Sequence, residues 1–322
     1  MEGTDIFQKS ATASVTRPVL EPETGVSMSA MNAIVNKKPA TDASRAEAVA
    51  HVEDVVRRSG TSFFWAMRRL SADKRRAMYA VYAFCREVDD IADGAGDPDE
   101  KRARLGQWRG EIERLYGDRP HSPIARALAE TVERYGLRKQ DFQAIINGME
   151  MDTGTSIRLA DMEELILYCD RVACAVGRHS TQVFGLPEAD GDTIAQALGQ
   201  ALQLTNILRD IHEDAEFDRL YLPADLLAAH GIDAADATAV VDHPRLPQVC
   251  ELIANIAERR FEEARAMIAT CDPERIRPAV MMMEVYHRIL HKMTTHGWGH
   301  HGTRVRLSAL EKLWVVFRYG IL

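Results

Sequence analysis

The sequence predicts an all-α fold, with one large helical domain over residues 46–322 after a leader of about 45 residues. Apolar residues recur with the 3.6-residue period of amphipathic helices through nearly all of that domain. Gly, Pro and Asp interrupt the pattern at intervals that suit helix ends. No sustained alternation of apolar and polar residues predicts strands, and no Pro- or Gly-rich linker divides the domain.

The predicted elements follow in order. Residues 1–45 are rich in Ser, Thr, Ala and Pro without a sustained period, which predicts a disordered leader. The first helical pattern begins with Val49, Val52 and Val56. Further helices are predicted over 72–93, 100–115, 122–135, 139–152, 161–184, 191–216, 246–271, 274–296 and 307–319.

The bulk composition limits the functional class. With 322 residues, 46% of them hydrophobic, the chain can bury a large core, and its formal net charge of −8 argues against nucleic acid as a partner. Five cysteines without a CxxC pair predict reduced thiols in a cytoplasmic protein. No signal-peptide core and no apolar run of roughly 18 to 20 residues is present, so we expect a soluble or peripheral protein.

The C-terminal segment carries basic and aromatic residues between His291 and Arg318. Such a composition is typical either of a packed terminal helix or of a contact with the inner face of a membrane. A peripheral membrane contact is therefore one expectation for this segment.

Two aspartate pairs are the strongest chemical signal. Asp89 and Asp93 lie four residues apart in one predicted helix, and Asp210 and Asp214 do so in another, so each pair shares a helix face. Like charges at this spacing repel, and both pairs lie near predicted helix C-termini, whose dipole disfavours carboxylates. The pattern therefore predicts a cation at both sites, with Mg²⁺ bridging a polyphosphate as the leading candidate and Mn²⁺ as the alternative ion.

Each aspartate pair continues a longer polar stripe. Tyr82 and Arg86 extend the first stripe, while Gln203 and Asn206 extend the second. Apolar residues flank both stripes, which predicts a wet cavity bordered by core. A solvated helix face is the alternative for one pair alone, and two similarly built pairs make that alternative weaker.

Three arginines are candidates to hold diphosphate oxygens: Arg86, Arg209 and Arg219. Surface ion pairs with nearby acids are the alternative interpretation: Glu87, Asp210 and Asp218.

A third predicted helix carries small residues between Tyr168 and Gly177. Val172 and Val176 follow Tyr168 at a spacing of four, so the three side chains should face the same direction. This face can lie against an apolar chain or pack closely on a neighbouring helix. Both interpretations stay open, since packed helices also line apolar tunnels.

Three segments, residues 62–93, 168–177 and 203–223, resemble the squalene/phytoene synthase family of head-to-head prenyl synthases. They occur in the family's order, and the resemblance extends from about Ser59 to the C-terminus. It implies an isoprenoid synthase bundle with a central cavity. The segments 148–152 and 172–177 resemble the bacterial members that make presqualene diphosphate for squalene and hopanoids.

The resemblance also implies roles for the candidate residues. Asp89 and Asp93 would bind Mg²⁺ on one wall, and Asp210 and Asp214, helped by Asn206, on the other. The residues that match positions holding diphosphate or shaping the pocket are Tyr82, Arg86, Val172, Val176, Gly177, Gln203, Arg219 and Tyr221. Tyr168 matches a tyrosine that acts near the cation, and Ser62 and Phe63 match the entry segment.

The implied reaction is Mg²⁺-dependent condensation of two farnesyl diphosphates to presqualene diphosphate without NADPH, with downstream hopanoid-pathway enzymes as partners. Within the family, phytoene or dehydrosqualene synthesis and full NADPH-dependent squalene synthesis are the alternatives. Outside it, the alternatives are head-to-tail prenyl transfer, terpene cyclisation and an inactive lipid-binding scaffold. Gln203-x-x-Asn206 and the run 219–223 favour the head-to-head family, and the two intact acidic pairs argue against a scaffold.

Overall fold

The computed structural model describes residues 42–59, 67–298 and 304–320, and within these ranges the protein is almost entirely helical. The all-α prediction is therefore confirmed. Most of the predicted leader lies outside the described residues, as do Ser62 and Phe63. The first helix begins at Asp42, four residues before the predicted start of the domain.

The helices in chain order are α1 (Asp42–Ser59), α2 (Ala72–Asp93), α3 (Pro98–Tyr116), α4 (Pro123–Tyr135), α5 (Lys139–Met151), α6 (Met162–Cys169), α7 (Ala175–Phe184), α8 (Glu188–Glu216), α9 (Ala224–Ala229), α10 (Ala237–Val241), α11 (Leu246–Ile268), α12 (Pro273–His296) and α13 (Ala309–Gly320). The long predicted helices end within about three residues of these bounds. Both aspartate pairs lie near helix C-termini as predicted, because α2 ends at Asp93 and α8 ends two residues after Asp214.

The predicted helix over 161–184 is interrupted. A π-helical turn, Asp170–Cys174, separates α6 from α7. The turn lies where helices approach closely: a Cβ on Gly148 of α5 would lie 2.6 Å from Cγ1 of Val172, and one on Gly199 of α8 would lie 2.8 Å from Cα of Cys174. Because only glycine fits at these contacts, the small-residue face does pack tightly against its neighbours.

Several short elements were not predicted. Strand β1 (Ile157–Arg158) pairs in parallel with β2 (Arg219–Leu220), with Ile157 opposite Arg219. The segment that follows α8 therefore contains a strand. Two-residue strands, like the short helices α9 and α10, are too brief for a periodic pattern to show.

Helix α8 lies at the centre of the bundle, in contact with α7, α11 and α12. Helix α2 packs on α1, α4 and α7. Close packing of α7 on α8 again depends on glycine, since a Cβ on Gly177 would lie 3.0 Å from the Cβ of Ala195. This arrangement sets the polar stripes of α2 and α8 around one interior space.

The five cysteines form no disulfide, and Cys169, Cys174 and Cys250 are buried. Within the described ranges, no helix combines the length and apolar character that crossing a bilayer demands.

Candidate active site

A polar cavity of about 830 Å³ contains both aspartate pairs, with Asp89 and Asp93 on α2 and Asp210 and Asp214 on α8. The other predicted site residues that line it are Tyr82, Arg86, Tyr168, Val172, Gln203, Asn206, Arg209, Arg219 and Tyr221. The two polar stripes therefore face one shared space and are not separate solvated faces.

The carboxylates of the cavity are held in an unfavourable environment. Burial raises the pKa of Asp214 to about 7, with repulsion from Asp210 as the next cause. Burial likewise raises the pKa of Asp89 to about 6, and repulsion from Asp93 adds to the shift. Charged carboxylates this close together are stabilised by an added cation, so the cavity favours a positive ligand.

The arginines connect these carboxylates. Arg219, on β2, donates from Nη1 to Oδ1 of Asp93 on α2 at 2.7 Å. Arg86 donates from Nη1 to Oδ2 of Asp89 at 3.1 Å and also pairs with Asp90. Arg86 does not pair with Glu87, and Arg219 does not pair with Asp218, so the ion pairs of the alternative interpretation do not form for these two arginines. Both guanidinium groups instead lie against the acidic pairs, where they can also contact an anion.

Arg209 also lines the polar cavity, and its partner is Asp210, the acid that the alternative interpretation named. Its Nε and Nη2 donate to the two carboxylate oxygens of neighbouring Asp210, at 2.7 and 2.6 Å. A second arginine reaches the same carboxylate: Arg304 Nε lies 2.7 Å from Oδ1 of Asp210, and its Nη2 donates to Oδ2 at 2.8 Å. The sequence reasoning missed Arg304, because no local pattern relates it to a residue 94 positions earlier.

Asp152 is the second residue that the sequence reasoning did not place in the site. It lies directly after α5, is buried, and accepts hydrogen bonds from the phenols of Tyr168 (2.9 Å) and Tyr221 (2.8 Å). The two rings stack with centroids 4.9 Å apart. Burial raises the pKa of Asp152 to about 6, although the two phenols act to lower it. The only sequence signal was its place in the segment 148–152.

An apolar cavity of about 260 Å³ adjoins the polar one. Four residues line both cavities: Val172, Gln203, Asn206 and Tyr286. Val176 and Gly177 line the apolar cavity only, while Tyr168 lines the polar one only. Tyr168, Val172 and Val176 thus follow one another along the two adjoining cavities, with Val172 at the junction, and the π-helical turn Asp170–Cys174 lies between Tyr168 and Val176.

The donor set fits Mg²⁺ held together with a diphosphate. Among the described residues, no three His, Cys, Asp or Glu side chains form a ready-made metal cluster. The acids lie instead as pairs on two helices facing one cavity. Mg²⁺ commonly takes one or two carboxylates, keeps several waters and completes its shell with substrate phosphate oxygens, which matches this arrangement.

Comparison with known proteins shows the family to which the chain is related. The profile of the squalene/phytoene synthase family matches residues 56–311. The presqualene diphosphate synthase of Sinorhizobium fredii is 43% identical over 279 residues, which cover 86% of this chain and 99% of that protein. The presqualene diphosphate synthase of Rhodopseudomonas palustris is 44% identical over 263 residues, covering 81% of this chain and 94% of that protein.

The fold matches solved structures as well. A dehydrosqualene synthase in complex with a ligand superposes with a TM-score of 0.76 at 25% identity, covering 86% of this chain and 96% of that one. A squalene synthase from Alicyclobacillus acidocaldarius superposes with a TM-score of 0.71 at 25% identity, covering 81% and 98%.

Proposed function

Since the chain belongs to the squalene/phytoene synthase family, we propose that it joins two molecules of farnesyl diphosphate head to head to give presqualene diphosphate and diphosphate. The observation that carries this proposal is the junction of the two cavities. Two acidic pairs face each other in the polar cavity, and the apolar cavity opens from it at Gln203 and Asn206. One molecule with an anionic head and a long apolar tail fits this combination.

The polar cavity binds the diphosphate heads. Asp89, Asp93, Asp210 and Asp214 would hold Mg²⁺, whose positive charge would help to neutralise the departing diphosphate. Arg86 and Arg219 add fixed positive charge beside the acids. Because these groups are already in place before the reaction, they stabilise the charge that develops on the leaving group at little cost in reorganisation.

The apolar residues protect the reacting carbons. Loss of diphosphate leaves an allylic cation, which the double bond of the second substrate attacks to form the new carbon–carbon bond. Val172 and Tyr286, at the junction of the cavities, help to keep water from this cation. Loss of one proton then closes the cyclopropane, and the second diphosphate stays on the product.

That proton can pass to the released diphosphate, or through Tyr168, whose phenol oxygen takes it up while giving its own proton to the carboxylate of Asp152. The phenols of Tyr168 and Tyr221 both donate to Asp152, so each phenol oxygen keeps lone pairs for a positive charge or a proton. Asp152 orients both phenols through these bonds.

The test is to incubate the purified protein with farnesyl diphosphate and Mg²⁺, with and without NADPH, and to identify products by mass spectrometry. We expect presqualene diphosphate under both conditions. Squalene formed only with NADPH would show a full squalene synthase, and phytoene from geranylgeranyl diphosphate with farnesyl diphosphate untouched would refute the substrate assignment. Absence of product from either substrate would refute the enzymatic function.

A matched pair of variants ties the reaction to the acidic site. Asp89→Asn should reduce turnover by at least about 100-fold at saturating Mg²⁺, because it removes a carboxylate of the cavity. Glu87→Gln removes a charge from the same helix outside the cavity and should leave the rate within about twofold. Near-normal turnover in Asp89→Asn would show that this carboxylate is not a ligand.

A further inference from the structure

The depth of the apolar cavity can be measured along the helices that line it. On α8, Asn206 lines the junction with the polar cavity, while Ile194 lines the apolar cavity twelve residues earlier. At about 1.5 Å per residue, this separation corresponds to a depth of roughly 18 Å. Val172, on the π-helical turn, and Phe184, at the end of α7, are also twelve residues apart. This segment runs in the opposite direction to α8, so its later residues lie deeper in the cavity.

Two other helices give the same direction. On α2, Tyr82 lines the polar cavity and Met78, one turn earlier, lines the apolar one. On α12, Tyr286 lines both cavities and Pro278, two turns earlier, lines only the apolar one. The apolar cavity therefore leads away from the aspartate pairs, and Phe184 and Ile194 line its deep part.

Phe184 is fixed where it can limit this depth. It is the last residue of α7 and is 5% exposed. Its carbonyl oxygen accepts a hydrogen bond from Nζ of Lys74 at 2.8 Å. The next residue, Gly185, has φ of 81° and accepts a bond from Arg275 at 2.8 Å. These two bonds hold the backbone at the end of α7 and so fix the point from which the phenyl ring projects.

We propose that Phe184 sets the length of the prenyl chain that the apolar cavity accepts, and that it selects fifteen carbons over twenty. The inference rests on the proposed function and adds the residue that determines its substrate. Phe184 touches the end of the tail remote from the diphosphate, so it is a specificity residue and takes no part in the chemistry.

The lengths agree with this assignment. An extended farnesyl chain measures about 14 Å and a geranylgeranyl chain about 19 Å, so each isoprene unit adds about 5 Å. A phenylalanine side chain is about 5 Å long, and the proposal places that of Phe184 across the deep end, where it leaves about 13 Å of the roughly 18 Å for a ligand. A fifteen-carbon tail fills that space, and a twenty-carbon tail exceeds it by about one isoprene unit.

A longer tail would move the reacting carbon. With its end against Phe184, a geranylgeranyl chain would place C1 about 5 Å farther out than a farnesyl chain does. Reaction rates fall steeply when reacting atoms are displaced by even about 1 Å, so the effect should appear in the rate as well as in affinity.

The test compares kcat/KM for farnesyl and geranylgeranyl diphosphate in the wild type, Phe184→Leu, Phe184→Ala and the control Val183→Ala. Val183 is equally buried in the same turn but does not line the cavity. We expect the preference of the wild type for the shorter substrate to fall by about 10-fold or more in Phe184→Ala and by less in Phe184→Leu. Val183→Ala should keep the wild-type preference. An unchanged preference in both Phe184 variants, or an equal change in Val183→Ala, would overturn the proposal.

A binding measurement separates this inference from the proposed function. Thiolo-diphosphate analogues of the two substrates do not react, and their effect on the melting temperature reports binding alone. The wild type should be stabilised by the farnesyl analogue more than by the geranylgeranyl analogue, and Phe184→Ala should reduce that difference. If the wild type makes no product from farnesyl diphosphate, the proposed function is wrong, while this comparison still tests Phe184. Equal stabilisation of the wild type by both analogues would refute the length limit even if presqualene diphosphate is formed.

Discussion

Asp214→Asn should stabilise the protein in the absence of metal while abolishing its activity. The pKa of Asp214 is raised from 3.8 to about 7, chiefly by burial, so the folded protein holds this proton to a higher pH than the unfolded chain does. Ionisation of Asp214 therefore lowers the stability of the wild type as pH rises from about 4 through about 7. Asparagine keeps the shape and removes this ionisation.

The size of the effect follows from the shift. Three pKa units correspond to a ceiling of about 4 kcal/mol, and the solvent that enters the polar cavity reduces it to about 1–2 kcal/mol. For a helical domain of this size, that gain raises the melting temperature by roughly 3–6 °C at pH 8. The difference between variant and wild type should shrink as pH falls below about 7 and should approach zero only near pH 4, where the unfolded chain also takes up the proton.

The assay is thermal unfolding followed by circular dichroism at intervals from pH 5.5 to 8.5, with EDTA present. Glu216→Gln is the control, because it removes a carboxylate from the exposed last residue of the same helix. If the control gains as much as Asp214→Asn, the cause is the helix dipole and not the cavity. A destabilised Asp214→Asn protein, or a difference that does not depend on pH, would refute the reasoning.

Adding Mg²⁺ and diphosphate should reverse the order of stability. A ligand that binds only the folded state stabilises it by RT ln(1 + [L]/Kd) and so raises its melting temperature. The wild type should gain several degrees, and Asp214→Asn should gain little because one proposed metal ligand is missing. Equal gains in the two proteins would show that Asp214 does not take part in binding.

Three further predictions concern the charged groups of the polar cavity. Arg304→Gln should lower the Mg²⁺ concentration for half-maximal activity by roughly threefold, because the arginine competes with the metal ion for Asp210. An unchanged or higher requirement in a Mg²⁺ titration would contradict this. Asp152→Asn should lower kcat by about 10-fold or more with little change in KM. The carboxylate accepts a hydrogen bond from each of the two phenols, one on each oxygen, and an amide offers only one oxygen. A normal kcat in steady-state kinetics would exclude a positioning role for Asp152. Finally, at limiting Mg²⁺ the rate should fall as pH drops below about 7, where Asp214 and then Asp89 take up protons. Saturating Mg²⁺ should move this fall to lower pH. A pH–rate profile unaffected by Mg²⁺ would argue against competition between protons and the metal ion.

The sequence predicted the acidic walls of the site because their signal is local. Two like charges four residues apart near a helix C-terminus cost stability in any fold, so their presence in two helices with apolar flanks indicates a ligand. The helices themselves were predicted well for a related reason, since hydrophobic periodicity over ten or more residues is a property of the segment alone. The π-helical turn was not predicted, because it depends on contacts with Gly148 and Gly199 of two other helices.

The residues that complete the site depend on the fold. Arg219 reaches Asp93 across 126 positions, and Asp152 is joined to Tyr221 across 69. Neither pairing has a spacing that a single sequence reveals. An arginine shortly after a helix, as Arg219 is after α8, is as typical of a surface ion pair as of a binding site. The sequence supplied the residue types, while the packing of α2 against the segment after α8 decided which of them meet.

Substrate length is the feature least accessible from the sequence, and the reason is geometric. The depth of the apolar cavity depends on where α7 ends relative to α8, and that offset is set by close contacts such as the one between Gly177 and Ala195. A shift of one helical turn would change the depth by about 5 Å, which equals one isoprene unit. Family members with the same aspartate motifs can therefore differ in substrate through packing alone. It follows that the effect of Phe184 on substrate length depends on its position at the end of α7. Substitutions at Gly177 that push α7 and α8 apart should also disturb the choice between fifteen and twenty carbons.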